Sequence, residues 1–214
     1  MSSPWAPPFG PAPDIGAGDS LGDPLAAAPA ALRAGRPEEA FSLCGRVLAP
    51  EPDNADALNL AGVAAFQTGN GAEARSLLET ALAFRLRFAE ALNNLGNVLK
   101  AEDALGEAED AYRRALEADP GQSEALNNLG AALMELSKPA DAIHAYRQAI
   151  GLDSGFADAH YNLGIALQEQ GEFDAAIGCY EKTLRCDPAH AGALINIGYA
   201  LKELGRLPEA VEAY

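Results

Sequence analysis

Six alanines recur every 34 residues, at Ala40, Ala74, Ala108, Ala142, Ala176 and Ala210. Three more ladders keep the same step: Gly62, Gly96, Gly130, Gly164 and Gly198; Leu95, Leu129, Leu163 and Ile197; and Tyr112, Tyr146, Tyr180 and Tyr214. A fixed period of this size marks a repeat architecture, in which each unit packs on its neighbours and no single central core forms. It constrains the fold more than length does, since 214 residues alone would allow one or two ordinary domains. It also moves the functional expectation from a catalytic pocket to an extended surface.

The register divides the chain into units 21–54, 55–88, 89–122, 123–156 and 157–190 and a partial unit 191–214. Within 89–122, Ala91, Leu92, Leu95, Gly96 and Leu99 recur at helical spacing, which predicts one amphipathic helix. Ala108, Ala111, Tyr112, Ala115 and Leu116 predict a second. Asp119-Pro120 then stops the unit, because proline cannot continue a helix and disfavours helical geometry in the residue before it. Asp187-Pro188 repeats the stop, and Glu51-Pro52 is similar. Gly35, Gly69, Gly171 and Gly205 fall where the two helices of a unit must turn, a place for the left-handed conformation that closes a helix. Asp103 and Ser137 hold that register in two units and should be less comfortable there. The glycines inside helices, such as Gly96 and Gly130, each cost about 1 kcal/mol of helix propensity. A recurring cost implies a close approach of the partner helix, for which the alanine ladder would supply the small opposing surface.

This pattern resembles the tetratricopeptide repeat, a 34-residue helix–turn–helix. The match in 89–122 rests on Leu92, Leu95, Gly96, Leu99, Ala108, Tyr112, Ala115 and Pro120. In 157–190 it rests on His160, Leu163, Gly164, Leu167, Ala176, Tyr180 and Pro188. Two positions depart there: His160 where a large packing residue is usual, and Thr183 where alanine is usual. The resemblance spans about residues 21–214 and is weakest in the first unit, where Pro24 and Pro29 should shorten the first helix. It implies an all-α fold, an α-α superhelix or solenoid whose first helices line a concave groove for an extended peptide or a partner helix.

Asn94, Asn128, Asn162 and Asn196 form the sharpest candidate site within that frame. Asparagine is a mediocre helix former, so propensity does not explain the row. Its amide supplies two donors and an acceptor, which suits both the N–H and the C=O of an extended peptide. The row is similar to that in the repeat arm of O-linked N-acetylglucosamine transferases, where groove asparagines hold substrate backbone. Asn93, Asn97, Asn127, Tyr161 and Tyr199 complete the candidate groove contacts. These amides are expected to face one continuous groove, and replacing the four ladder asparagines with alanine to weaken binding more than folding. Asp56, Glu90, Glu124 and Asp158 form an acidic row at the starts of first helices, favoured there by the helix dipole and alternatively a rim for basic peptides. A chaperone-binding subclass of the family grips carboxylates with two asparagines and three cations. Asn97 and Asn128 match its asparagines, but Asn93, Asp158 and Asn162 stand at the cation positions, which excludes that grip.

Composition narrows the partners. Against 15 Lys and Arg there are 31 Asp and Glu, a formal charge of -16. Nucleic acid and anionic membranes would both repel such a chain, whereas a neutral or basic protein segment would not. Cys44, Cys179 and Cys186 are odd in number and lack metal or disulfide spacing, so they read as thiols in a reducing compartment. No apolar run is long enough for a membrane span, and with no basic residue before Arg33 and no apolar h-region a secretory signal is not expected, so the expected location is the cytoplasm. Residues 1–20, with Trp5 and Phe9 among prolines, read as a disordered tail, or alternatively a short docking motif. No metal, cofactor or catalytic constellation is expected; His144, His160 and His190 share no register. The expected function is a non-catalytic interaction scaffold. The alternatives are the recruitment arm of a larger glycosyltransferase and a self-assembling solenoid. The last repeat breaks off at Tyr214, so the chain is expected to be a fragment, with Ile197 and Leu201 more exposed than Leu163 and Leu167 and an apolar end that invites self-association.

Overall fold

The computed structural model describes residues 23–214, and among them every regular element is an α-helix. The tail reading of residues 1–20 lies outside the described residues. The chain divides into two compact units, Met1–Asp103 and Ala104–Tyr214.

The first unit holds α1 (Pro24–Arg33), α2 (Pro37–Leu48), α3 (Ala55–Gln67), α4 (Gly71–Phe84) and α5 (Ala89–Ala101). Consecutive helices pack on each other, and α3 also touches α1 and α5, so the first helix of each hairpin lines up with the next. Helix α1 has ten residues against thirteen in α3 and α5. Pro24 sits in its first turn, where a missing N–H costs nothing, and Pro29 lies inside it. Asp23 caps it by accepting from Leu25 N–H.

The second unit holds α6 (Leu105–Ala118), α7 (Ser123–Glu135), α8 (Pro139–Leu152), α9 (Ala157–Glu169), α10 (Phe173–Cys186), α11 (Ala191–Glu203) and α12 (Leu207–Ala213). Again each helix packs on the next, and α7 also touches α9. The ladder residues form the packing: Leu129, Leu163, Ala108, Ala142 and Ala176 are buried here, as is Leu95 in the first unit.

The turns inside hairpins have one geometry. Gly35, Gly69, Gly171 and Gly205 have positive φ, and so do Asp103 (61°) and Ser137 (59°). The N–H after the left-handed residue returns to the carbonyl five residues earlier, as in Arg36 to Ala31, Asn70 to Ala65, Lys138 to Leu133 and Glu172 to Leu167. This is the Schellman closure, and it explains the register of the glycines. The turns between hairpins use a different device. Asp119 and Asp153 each accept from the N–H two residues on, at 2.9 Å, and Asp187 does so at 3.1 Å. Asp153 does this without a proline behind it, so the aspartate side chain sets the turn, whereas the proline only stops the helix.

One expectation is corrected in part. The surface closest to the in-helix glycines is a large side chain rather than the alanine ladder, which contributes at Gly62, where a Cβ would lie 3.3 Å from the Ala74 carbonyl. A Cβ on Gly130 would lie 2.5 Å from the Tyr146 ring, one on Gly164 would lie 2.5 Å from the Tyr180 ring, and one on Gly198 would lie 2.8 Å from the Tyr214 ring. Gly62 faces Leu78 in the same way, at 2.7 Å. Each of these four glycines makes room for the large side chain sixteen residues later, so within the second unit the glycine and tyrosine ladders are two halves of one contact. Leu201 is 5% exposed against 3% for Leu167, the expected direction, but the difference is small. It packs with Ile177, Ala200 and Ala210, so the short α12 already covers it. Ile197 is half-buried whereas Leu163 is buried.

Candidate functional site

On a helix, positions separated by four, seven and eleven residues share one face. In the second unit, three first helices carry the same series on such a face. Helix α7 presents Glu124, Asn128, Ala131 and Glu135; α9 presents Asp158, Asn162, Ile165 and Glu169; α11 presents Gly192, Asn196, Tyr199 and Glu203. Each of these residues is exposed or half-buried, in contrast to the buried leucines one position beyond the asparagines in α7 and α9. The face therefore carries four rows: acidic, amide, apolar, acidic. In the first unit, α5 carries Glu90, Asn94, Asn97 and Ala101, and α3 carries Asp56, Leu60, Val63 and Gln67.

The amide row also joins helix to helix. Asn162 donates through Nδ2 to Asn127 Oδ1 at 3.0 Å, and in the first unit Asn94 donates to Asn59 Oδ1 at 2.9 Å. In the last pair the acceptor changes: Asn196 Nδ2 donates to the Tyr161 hydroxyl at 3.3 Å. Asn93 and Asn127 are themselves buried, at 8% and 9% exposure, so they serve the stack more than the surface. Asn97 and Asn128 are half-buried, and both have partners within the protein. Tyr161 is half-buried and Tyr199 is 41% exposed.

Tyr161 is locked from several sides. Its ring lies 4.4 Å from that of His190 and 5.8 Å from that of Tyr180. His190 is the N-cap of α11, its Nδ1 accepting from Ala193 N–H at 3.1 Å, so the ring proton sits on Nε2. A Cβ at Gly192 would stand 2.7 Å from the Tyr161 hydroxyl. This explains why the acidic row of Glu124 and Asp158 ends in glycine on α11: the tyrosine occupies the space.

The acidic residues differ among themselves. Each stands in the first turn of its helix, where the dipole favours negative charge by about 0.3–1 kcal/mol. Asp56 is held by Arg85 through two bonds of 2.8 Å, and the Arg85 guanidinium also stacks 4.4 Å over Phe88. That charge is spent within the first unit. His160, the departure at the large packing position, is 3% exposed, with Nε2 3.0 Å from the Ser154 carbonyl and Nδ1 buried without a partner. Thr183 is fully buried and donates to the Cys179 carbonyl at 3.2 Å. Burial pushes the Cys44 thiol up to about 12 and raises Cys179 as well, while Cys186 is exposed. Among the described residues no cluster of His, Cys, Asp or Glu is placed to hold a metal, and no helix is long and apolar enough to cross a membrane.

Of the lower half of the face, sequence reading named Asn97 and Tyr199 and missed Ala131, Ile165 and the carboxylates. Ala131 and Ile165 share the 34-residue step with Tyr199, and Glu135, Glu169 and Glu203 share it with one another; that step was the signal that would have found them.

Among the described residues, stacked helical hairpins that carry the same exposed series from one first helix to the next define a helical repeat protein. Tetratricopeptide-repeat models match residues 31–86, 69–123, 111–144, 157–190 and 179–212, and a TPR repeat model matches 134–171. The chain belongs to the tetratricopeptide-repeat family. Among solved structures it is similar to MamA, at 30% identity over 71% of this chain and 89% of that one, with a TM-score of 0.67. PilF of Pseudomonas aeruginosa shares the fold at 22% identity, with 89% and 86% of the chains covered and a TM-score of 0.80. YrrB, described as a TPR protein with an unusual peptide-binding site, shares it at 22% identity, with 79% and 88% covered and a TM-score of 0.66. No curated protein matches the chain in sequence.

Proposed function

We propose that this protein is a non-catalytic scaffold that holds an extended segment of a partner protein on the exposed face of α7, α9 and α11. The observation that carries this reading is the register of Asn128, Asn162 and Asn196, all half-buried on that face. The bond from Asn162 to Asn127 uses one of two amide hydrogens, so the second hydrogen and Oδ1 are chemically able to meet a peptide N–H and C=O. Backbone reading of this kind accepts many sequences. The charge of -16 adds a bias toward neutral or basic segments.

The test is fluorescence anisotropy with a degenerate set of labelled extended peptides. Asn128→Ala, Asn162→Ala and Asn196→Ala together should weaken binding about tenfold or more, the loss expected from a few backbone hydrogen bonds at about 0.5–1.5 kcal/mol each. N-methylation of the peptide backbone should weaken it in the same way, without touching the protein. Failure of the intact protein to bind any peptide, or indifference to N-methylation, would refute the reading.

A further inference from the structure

The face on α7, α9 and α11 is not uniformly polar. Below the asparagines lies a row that grows along the second unit, from Ala131 through Ile165 to Tyr199, with Tyr199 41% exposed. On either side run carboxylates: Glu124 and Asp158 above, Glu135, Glu169 and Glu203 below. No Lys or Arg stands in these four rows. An apolar strip fenced by charges of one sign is complementary to a segment with apolar residues at its centre and cations beside them.

The helix spacing sets the ligand's register. Asn196 of α11 reaches the Tyr161 hydroxyl of α9 at 3.3 Å, and helices set side by side lie about 8–10 Å apart. A chain in polyproline-type extension advances about 3.1 Å per residue, so about three residues carry it from one helix to the next. The step from Ile165 on α9 to Tyr199 on α11 therefore corresponds to two ligand side chains three positions apart.

We infer that the partner of this face is an extended protein segment with two bulky apolar side chains three residues apart, seated against Ile165 and Tyr199, and with Lys or Arg nearby to meet Asp158, Glu169 and Glu203. This specificity rests on the scaffold reading above and deepens it. The asparagines hold the backbone wherever the segment runs, and the apolar row chooses which segment is held. The choice is made in the second unit alone; at the register of Tyr199, α5 in the first unit has Asn97.

Selection from a random peptide display library on the full chain tests it. Peptides recovered by the unaltered protein should be enriched in paired aromatic or aliphatic residues three apart, together with Lys or Arg. Tyr199→Asn and Ile165→Asn copy the residue that α5 carries at this register. Together they should abolish the apolar enrichment and cut affinity for a selected peptide by about tenfold or more, the loss of apolar contact at two positions. Tyr199 is exposed, so Tyr199→Asn alone should leave the thermal unfolding midpoint unchanged and still weaken binding, which keeps the test valid if the double variant folds poorly. Asp158→Asn with Glu169→Gln should remove the preference for cations and flatten the salt dependence of binding. Recovered peptides that depend on Asn162 and Asn196 but show no apolar or basic enrichment would overturn the inference and leave the scaffold reading standing. Absence of any recovered peptide would overturn both.

Discussion

Gly164 and Gly178 lie on packed neighbours, α9 and α10, yet alanine at the two positions should have opposite effects. Either replacement gains about 0.8–1 kcal/mol of helix propensity. At Gly178 nothing stands within 4 Å of the new Cβ, so that gain is the whole effect. At Gly164 the Cβ would lie 2.5 Å from Cε1, 2.8 Å from Cδ1 and 2.9 Å from Cζ of Tyr180. Carbon atoms prefer separations of about 3.5–4.0 Å, so the ring or the helix must move by roughly 1 Å. Tyr180 is fully buried and its hydroxyl donates to Gln168 Oε1 at 3.2 Å, so the ring has little freedom to yield. Overpacking of this kind costs about 1–3 kcal/mol. Propensity cancels in the comparison, leaving Gly164→Ala less stable than Gly178→Ala by about 1–3 kcal/mol. Urea unfolding followed by circular dichroism should show a raised midpoint for Gly178→Ala and a lowered one for Gly164→Ala. Equal midpoints, or a more stable Gly164→Ala protein, would refute the argument that these glycines exist to admit the tyrosines.

Ser137→Gly should stabilise the protein by about 0.5–1 kcal/mol in urea unfolding, because Ser137 sits at φ 59° where its turn-mates are glycine, whereas Gly171→Ala should destabilise it by about 1 kcal/mol or more. The Glu109 carboxylate accepts from Lys138 at 2.7 Å and from Arg113 at 2.8 Å, with Lys138 foremost in holding its pKa below the ordinary glutamate range. A depressed folded pKa adds stability that is present above the unfolded carboxylate pKa and lost as pH falls through the folded one. Carbon NMR of the Glu109 carboxyl should accordingly show its midpoint rise in Lys138→Met, with a smaller loss of stability on acidification. Thiol-specific reagents should label Cys186 quickly in the native protein and reach Cys44 and Cys179 only after unfolding, since both of those are buried and their thiolates are disfavoured; peptide mass mapping checks it.

The fold was legible because the determinants of a helical repeat are local and occur several times over. Leu129 and Leu163 are buried for the same reason, and each copy confirms the other. The left-handed turns were also legible, even at Asp103 and Ser137, because backbone sterics single out that position in every unit. The pairing of Gly130 with Tyr146 was not. Periodicity shows that two ladders share a period but not which member of one touches which member of the other; that depends on how far two helices slide along each other. The aspartate turns were hidden for another reason. Asp119 and Asp187 stand beside prolines, and the proline's backbone effect drew the explanation away from the side chain that makes the bond.

The asparagine row shows most clearly where a sequence pattern stops short of a role. Four amides at one register suggested a surface for ligands, and the recurrence alone cannot separate that from a surface for neighbours. The structure gives Asn94 and Asn162 a neighbour each, across a distance of one repeat. A bond from a half-buried amide to a buried one contributes about 0.5–1.5 kcal/mol, enough to fix the register of one first helix on the next. That register is also what aligns Asp158 with Glu124, Ile165 with Ala131 and Glu169 with Glu135. The stacking role and the binding role are therefore not rivals. A ligand that reads four parallel rows would need those rows held in step, and one hydrogen of Asn94 and of Asn162 does this, while under the proposed scaffold reading the second would meet the ligand. At α11 the same requirement is met with different chemistry: Tyr161 takes the place of the accepting amide, Gly192 yields the space, and His190 braces the ring. The repeat conserves the alignment of the face even where it gives up the residue that usually makes it.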